Sequence, residues 1–162
     1  MKRIAIALTL GCVVLTRVVC AQQSEPADEI REFELRVLEL TNIERARNSL
    51  QPLVWHEAAS GAARAHSADM QHSGQLSHTG SDGSNVGQRL ERVGVTDWWA
   101  WGENVAAGQT TPEAVVEAWM NSTGHRANIL NPDFTHLGVG LTRQAAAPGR
   151  MPTFWTQKFI RL

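Results

Sequence analysis

Cysteine is almost absent from this chain of 162 residues, and the two that occur, Cys12 and Cys20, both lie near the amino terminus. They fall within a segment that has the pattern of a secretory signal peptide. It has a basic start at Lys2 and Arg3, an apolar middle, and a small residue, Ala21, before the cut. We expect cleavage near Ala21. The mature chain would then contain no cysteine, which excludes disulfides and cysteine-bound metals from its fold.

A second long apolar run and an excess of basic charge are also missing. Without a second run, we expect no transmembrane span in the mature chain and a secreted or periplasmic location. Removal of Lys2, Arg3 and Arg17 with the signal leaves 12 of the 15 basic residues against 16 acidic ones, and Lys158 is the only lysine left. This acidic balance gives no electrostatic footprint for nucleic acid.

The remaining chain has the length of one domain. We divide the sequence into a signal peptide over residues 1–21, a lead-in with the start of the first helix over 22–34, and one folded domain over 35–162. We expect a monomer. A domain of roughly 150 residues buries about 68–70% of the surface of its unfolded chain, so it can fold without covalent staples.

Helical spacing of apolar residues covers most of the domain, and alternating spacing appears late. Asn42 and Arg45 lie one turn apart in the first helix and are expected to tie it to neighbouring loops. A helix-rich chain that ends in a small sheet predicts the α+β class. Helices are predicted over 29–48, 57–71, 85–92 and from 112 until Gly124 stops the helix, with a helical turn over 125–130, and strands over 136–142 and 153–160.

The most informative stretch runs from the last of the long helices into the short turn after it. Thr111 is placed to cap that helix, and Pro112 suits its first position. Gly124 is predicted to end it in the left-handed conformation. His125 would then stand at a corner between two helical pieces, with Ser122 capping the second piece.

Three further motifs accompany this corner, in which Trp119 is followed by Ser122-Thr123-Gly124-His125-Arg126. They are Leu76-Ser77-His78, Gly102-Glu103-Asn104 and Gly138-Val139-Gly140. In this order the set resembles the CAP superfamily of cysteine-rich secretory, antigen and pathogenesis-related proteins, in its small bacterial branch, from about Leu38 to the end. The resemblance implies a three-layer α-β-α sandwich.

In that family two histidines and up to two glutamates converge in a central cleft. By motif, the resemblance implies His78, His125 and Glu103 as cleft residues, with Asn104 beside them. Ser122 stands where many eukaryotic members carry the second glutamate. His78 and His125 are the candidate metal ligands, since two imidazoles suit Zn²⁺ or another divalent cation and leave positions open for water.

Three functions remain open for this cluster. The favoured one is a non-catalytic binding module for a divalent cation, a small extracellular or lipid ligand, or a cell-envelope component. The second is a metal-dependent hydrolase acting on peptide or cell-envelope substrates, with Glu103 as its catalytic base. The third is a scaffold in which the polar groups satisfy one another. A serine triad of Ser122, His125 and Glu103 is rejected because no oxyanion donor pair accompanies it.

Aromatic and histidine residues outside these motifs receive separate interpretations. Not all the tryptophans around position 100 can face inward, because successive side chains of a strand alternate. An exposed Trp98 or Trp99 beside the cleft would suit ligand or sugar stacking. His66 is excluded from the site as a core or rim histidine on the inner face of the second helix. His56, His72 and His136 are excluded because nothing in the sequence gives them partners.

Overall fold

The computed structural model describes residues 26–145 and 148–162, so the predicted signal peptide and both cysteines lie outside the described residues. The described part contains five helices and four strands. None of these helices is long and apolar enough to cross a membrane. In chain order they are α1 (Pro26–Arg47), β1 (Val54–Trp55), α2 (Glu57–Ser73), α3 (Val86–Glu91), β2 (Ala100–Ala107), α4 (Pro112–Met120), α5 (Thr123–Ile129), β3 (His136–Arg143) and β4 (Thr153–Arg161).

The four strands form one mixed sheet in the order β1-β3-β4-β2. The two-residue β1 runs parallel to β3, and the other neighbours are antiparallel. β2 is therefore an edge strand, paired on one side with β4. In that pairing Glu103 lies opposite Lys158, and Asn104 lies opposite Gln157.

Helices cover both faces of the sheet, which confirms the α+β class and the three-layer sandwich. α2 and α3 pack on one face, and α1, α4 and α5 pack on the other. The larger apolar core lies on the α1 side and includes Trp119, Trp155 and Phe159. A smaller core on the α2 side contains Leu90 and Ile160. Alternation along β4 explains the division, since odd-numbered side chains face one layer and even-numbered ones the other.

α2 approaches the sheet closely because β3 carries glycine where the two meet. A Cβ added at Gly138 would lie 2.4 Å from the backbone of Ala59 and Ser60. A Cβ added at Gly140 would lie 2.2 Å from the backbone nitrogen of Arg64. The close approach is completed by the alanine side of α2, where Ala59, Ala62 and Ala63 are buried.

The first helix is tied to its surroundings through the predicted pair. The Asn42 side chain donates to the Leu53 carbonyl at 2.9 Å and accepts from the Leu53 N–H at 2.8 Å. Arg45 is 1% exposed, and its guanidinium donates to four backbone carbonyls. These belong to Gln51, Ile129, Asn131 and Phe134. Three of these four carbonyls lie at or just after the end of α5, so Arg45 fixes the end of the helix that carries His125.

The predicted corner forms, but two of its details were wrong. α4 begins as expected, with the Thr111 side chain accepting from the Ala114 N–H and Pro112 in the first turn. It ends at Met120 with Asn121 in a right-handed conformation, and Gly124 lies inside α5. Gly124 takes no positive φ, because the intervening turn needs no left-handed residue. Ser122 occupies the N-cap position of α5, yet its side chain makes no capping hydrogen bond.

Candidate functional site

The site centres on one buried carboxylate at the sheet edge. The Glu103 side chain is 2% exposed and is surrounded by basic groups from three other segments. His78 Nδ1 lies 2.9 Å from Oε1. On the other oxygen, Oε2, Lys158 Nζ donates at 2.7 Å and Arg89 Nη2 at 3.0 Å. A single negative charge is therefore shared by two permanent or near-permanent cations and one imidazole.

Local structure brings these groups together. Lys158 faces Glu103 because the two residues are directly opposed in the antiparallel β2–β4 ladder. Arg89 comes from α3, whose start is fixed by a capping box between Asn85 and Gln88. The Arg89 guanidinium also donates to the carbonyls of Ser84 and His78, at 2.6 and 2.8 Å. Arg89 thus holds the loop that carries His78 over the carboxylate.

These contacts keep Glu103 ionised. Burial by itself would raise the pKa of this carboxyl. The hydrogen bond with His78 and the charge of Lys158 outweigh burial and lower the pKa to about 2. Burial lowers the pKa of Lys158 to about 8, although Glu103 acts in the opposite direction. A carboxylate held in this state is a weak general base at neutral pH, because it scarcely takes up a proton.

The ionised carboxylate determines which tautomer His78 adopts. A carboxylate can only accept hydrogen bonds, so His78 Nδ1 must carry the proton that it shares with Glu103. The neutral ring then has its lone pair on Nε2. The His78 side chain is 56% exposed, which leaves that nitrogen open to a ligand. This is the arrangement in which a carboxylate orients a metal-binding histidine from behind.

The second histidine reaches the cleft from the opposite face of β2. Asn104 is fully buried, and its amide donates to the His125 carbonyl at 3.1 Å and to Gln157 Oε1 at 3.0 Å. Asn128, one turn after His125 on α5, donates to the Glu103 carbonyl and to Asn104 Oδ1. These bonds cover part of the free edge of β2 and fix the helix turn that presents His125.

His125 is half-buried on α5. Burial lowers the pKa of His125, and the neighbouring His78 lowers it further. Both effects favour the neutral imidazole, the form that binds metals and accepts hydrogen bonds. The influence of His78 on the pKa of His125 is the observation that relates the two rings.

The resemblance implies two imidazoles, His78 and His125, as candidate metal ligands. In the described ranges no group of three or more His, Cys, Asp or Glu side chains is arranged to hold a metal ion. Both oxygens of Glu103 already have partners, in Arg89, Lys158 and His78. The position of the missing second glutamate, Ser122, supplies a half-exposed hydroxyl three residues before His125.

Sequence reasoning missed most of the groups that contact Glu103. Arg89 and Lys158 were not predicted at the site, and His66 was set aside as a core or rim histidine. His66 is indeed 1% exposed, and its Nε2 bonds the Ser77 carbonyl at 2.9 Å. The same nitrogen lies 3.7 Å from Glu103 Oε1. A lone lysine in a predicted strand, 153–160, that is otherwise free of charge was the signal that pointed to Lys158.

The tryptophans next to the site differ sharply in exposure. Trp99 is 84% exposed and Trp101 is 39% exposed, whereas Trp98 is half-buried. Trp98 packs against Trp101 edge to face, with ring centroids 6.5 Å apart. The expectation of an exposed aromatic beside the motif residues thus holds for Trp99, and Trp101 was not anticipated.

Comparison with known proteins agrees with this architecture. Among solved structures, an extracellular protein containing a SCP domain from Bacillus anthracis superposes with a TM-score of 0.72 at 35% identity, covering 83% of this chain and 43% of that chain. An outer surface protein from Borrelia burgdorferi also gives a TM-score of 0.72, covering 81% of this chain and 93% of that chain. Its identity is 18%, so that likeness shows the fold alone.

Curated relatives and a family model extend the comparison to sequence. The uncharacterized protein YkwD of Bacillus subtilis is 44% identical over 131 residues, which is 81% of this chain and 48% of the relative. The uncharacterized membrane protein YlbC of the same species is 38% identical over 128 residues, 79% of this chain and 34% of that protein. The chain thus spans about half of one relative and a third of the other. The model of the cysteine-rich secretory protein family, CAP, matches residues 38–159, and the chain belongs to that family.

Proposed function

We propose that this protein is an exported binding module whose cleft takes a divalent cation, or a small extracellular ligand, between His78 and His125. The observation that carries the proposal is the state of Glu103. Its bonds to Arg89 and Lys158 keep it ionised, and an ionised Glu103 holds His78 as the tautomer with a free Nε2. The exposed His78 ring and the neutral His125 then offer two imidazole nitrogens to one ligand.

Binding is favoured over hydrolysis by the same contacts. A hydrolase would need Glu103 to accept a proton from water, and the pKa of Glu103 is lowered to about 2. A catalytic zinc also has three protein ligands as a rule, and the described residues offer two. A bound cation would keep open coordination positions for a ligand from outside.

Export is supported by the pattern of the first 21 residues and by the extracellular SCP-domain protein that resembles this chain. An exported site meets the ligands of the cell envelope or the medium. The ligands considered are therefore divalent cations, small molecules, lipids and envelope components.

Calorimetric titration of Zn²⁺ into the purified protein tests the site. We expect one binding event in the micromolar range, lost in the His78→Ala/His125→Ala double variant. His72→Ala is the matched control, because His72 is an exposed histidine in the last turn of α2 and should leave binding unchanged. Equal binding in all three proteins, or none in the wild type, would exclude the metal site. A double variant that only lowers the melting temperature would favour the scaffold.

A further inference from the structure

A row of alternating residues leads from open solvent to the floor of the cleft. Trp101 and Glu103 lie two residues apart on β2, and strand geometry places their side chains on one face, about 7 Å apart along the strand. Trp99 completes the row from the bend just before the strand, where its N–H donates to the Arg161 carbonyl at 2.8 Å. Exposure falls along the row, from 84% at Trp99 to 39% at Trp101 and 2% for the Glu103 side chain.

The inner aromatic is held in place rather than lying free on the surface. Trp101 packs edge to face on Trp98, and both lie against Gly87 of α3. A Cβ added at Gly87 would lie 3.1 Å from Trp101 Nε1 and 3.4 Å from an atom of the Trp98 ring. Because α3 also supplies Arg89, the same helix packs against Trp101 and bonds the Glu103 carboxylate. The platform and the cleft are therefore fixed relative to each other.

The Trp99 side chain contributes little to the stability of the fold. An indole at 84% exposure contributes little buried area, and exposed large apolar side chains grouped near a cleft are typical of binding surfaces. The ligand must satisfy two neighbours at once. It must offer a flat apolar face to the indole rings, and polar groups to the imidazoles of His78 and His125.

Sugars meet both requirements, since a pyranose ring has a face of C–H groups and an edge of hydroxyls. We propose that Trp99 and Trp101 form the stacking platform of a glycan subsite that leads into the cleft. The proposal rests on the proposed function, because it names the class of ligand that the same cleft binds. Successive rings of an extended glycan would stack on the indoles and present hydroxyls or amides to His78 and His125.

A lipid is a poorer match for these residues. A lipid chain would enter a cleft with an apolar floor, whereas this floor holds Glu103, Lys158 and Arg89. A membrane surface favours basic residues beside interfacial aromatics. Here Asp97 directly precedes the tryptophans, and acidic residues outnumber basic ones in the sequence.

The test measures binding of chitohexaose, cellohexaose and purified bacterial peptidoglycan to the purified protein, by tryptophan fluorescence for the soluble glycans and by co-sedimentation for peptidoglycan. We expect at least one glycan to bind. Trp99→Ala and Trp101→Ala should each weaken binding about tenfold, equivalent to about 1.4 kcal/mol, and the double variant should abolish it. Val54→Ala, which trims an apolar side chain that is 58% exposed on β1, at the opposite edge of the sheet from β2, should bind as the wild type does.

The outcomes separate this proposal from the one on which it rests. The tryptophan variants should keep the Zn²⁺ binding that His78→Ala/His125→Ala loses. If no glycan binds while Zn²⁺ does, or if both tryptophan variants bind glycan as tightly as the wild type, the glycan subsite is refuted and the cation site stands. Binding to anionic phospholipid vesicles without glycan binding would likewise refute it and point to a membrane surface. If the wild-type protein binds glycan and does not bind Zn²⁺, the cation site of the proposed function is refuted and the glycan subsite stands.

Discussion

Replacing Glu103 with glutamine should destabilise the protein strongly, because it leaves two buried cations without their shared charge. Lys158 is fully buried, and its ammonium bonds Glu103. Arg89 keeps its two carbonyl partners but loses its carboxylate. Removing one partner of a buried ion pair costs about 3–5 kcal/mol. For a domain of this size that loss lowers the melting temperature by roughly 10–20 °C.

The effect of Glu103→Gln should also depend on pH, with a sign set by Lys158. Burial already lowers the pKa of Lys158 to about 8 in the wild type, and removing Glu103 lowers that pKa further. As pH rises from the lowered pKa of Lys158 in the variant to about 8, Lys158 loses its proton in the folded variant and keeps it in the unfolded chain. The free energy of unfolding of the variant therefore increases with pH over this range. The difference in the free energy of unfolding between variant and wild type should therefore become smaller toward pH 8. It should not close, because Arg89 keeps its charge.

Urea denaturation of wild type and variant between pH 6 and pH 9 measures this gap. Glu113→Gln is the control, since Glu113 is an exposed carboxylate paired with Arg36, and surface pairs contribute about 0–1 kcal/mol. Glu103→Gln with the same midpoint as the wild type would refute the reasoning. A difference in the free energy of unfolding that does not change with pH would show that the charge of Lys158 is not the source of the destabilisation.

Three further predictions follow from other parts of the structure. Gly140→Ala should lower the free energy of unfolding by about 3 kcal/mol or more, because its Cβ would meet the backbone of α2. Gly61→Ala, where nothing lies within 4 Å of the added Cβ, should instead stabilise α2 by about 0.5–1 kcal/mol. Urea denaturation measures both variants, and equal effects would contradict this packing. Arg45→Met should lower the melting temperature by roughly 10 °C, because carbonyls near the end of α5 lose their hydrogen-bond donor. The same loss should broaden the NMR signal of His125. An unchanged His125 signal would argue against a role of Arg45 in positioning His125. The affinity for Zn²⁺, measured by calorimetry, should fall when His125 takes up a proton. Burial and His78 lower the pKa of His125 from 6.5, so this fall should occur as pH drops below 6.5. A Zn²⁺ affinity that stays constant there would remove His125 from the site.

The helices and strands were accessible from the sequence because their signals are local, whereas the three-layer sandwich and the cleft residues came from the family resemblance. The Thr111 and Pro112 start of α4 and the strand β4 were predicted from neighbouring residues and confirmed. Gly124 misled because glycine is permitted in both conformations, and here Asn121 ends the helix with an ordinary right-handed turn.

The surroundings of Glu103 were not accessible in the same way. Lys158 lies 55 residues from Glu103 and Arg89 lies 14 residues from it, so their contacts depend on strand register and on how α3 docks. No spacing rule within a helix or strand reports such distances. The charge balance that fixes the ionisation of Glu103, and through it the tautomer of His78, therefore emerged only from the three-dimensional arrangement.

The most direct test of the central claim is a long-range ¹H–¹⁵N NMR spectrum of the histidine rings, recorded before and after addition of Zn²⁺. The account predicts that His78 carries its proton on Nδ1, and that Zn²⁺ shifts the Nε2 signals of His78 and His125 and leaves the other four histidines unchanged. A proton on Nε2 of His78, or shifts confined to His56, His72 or His136, would contradict it.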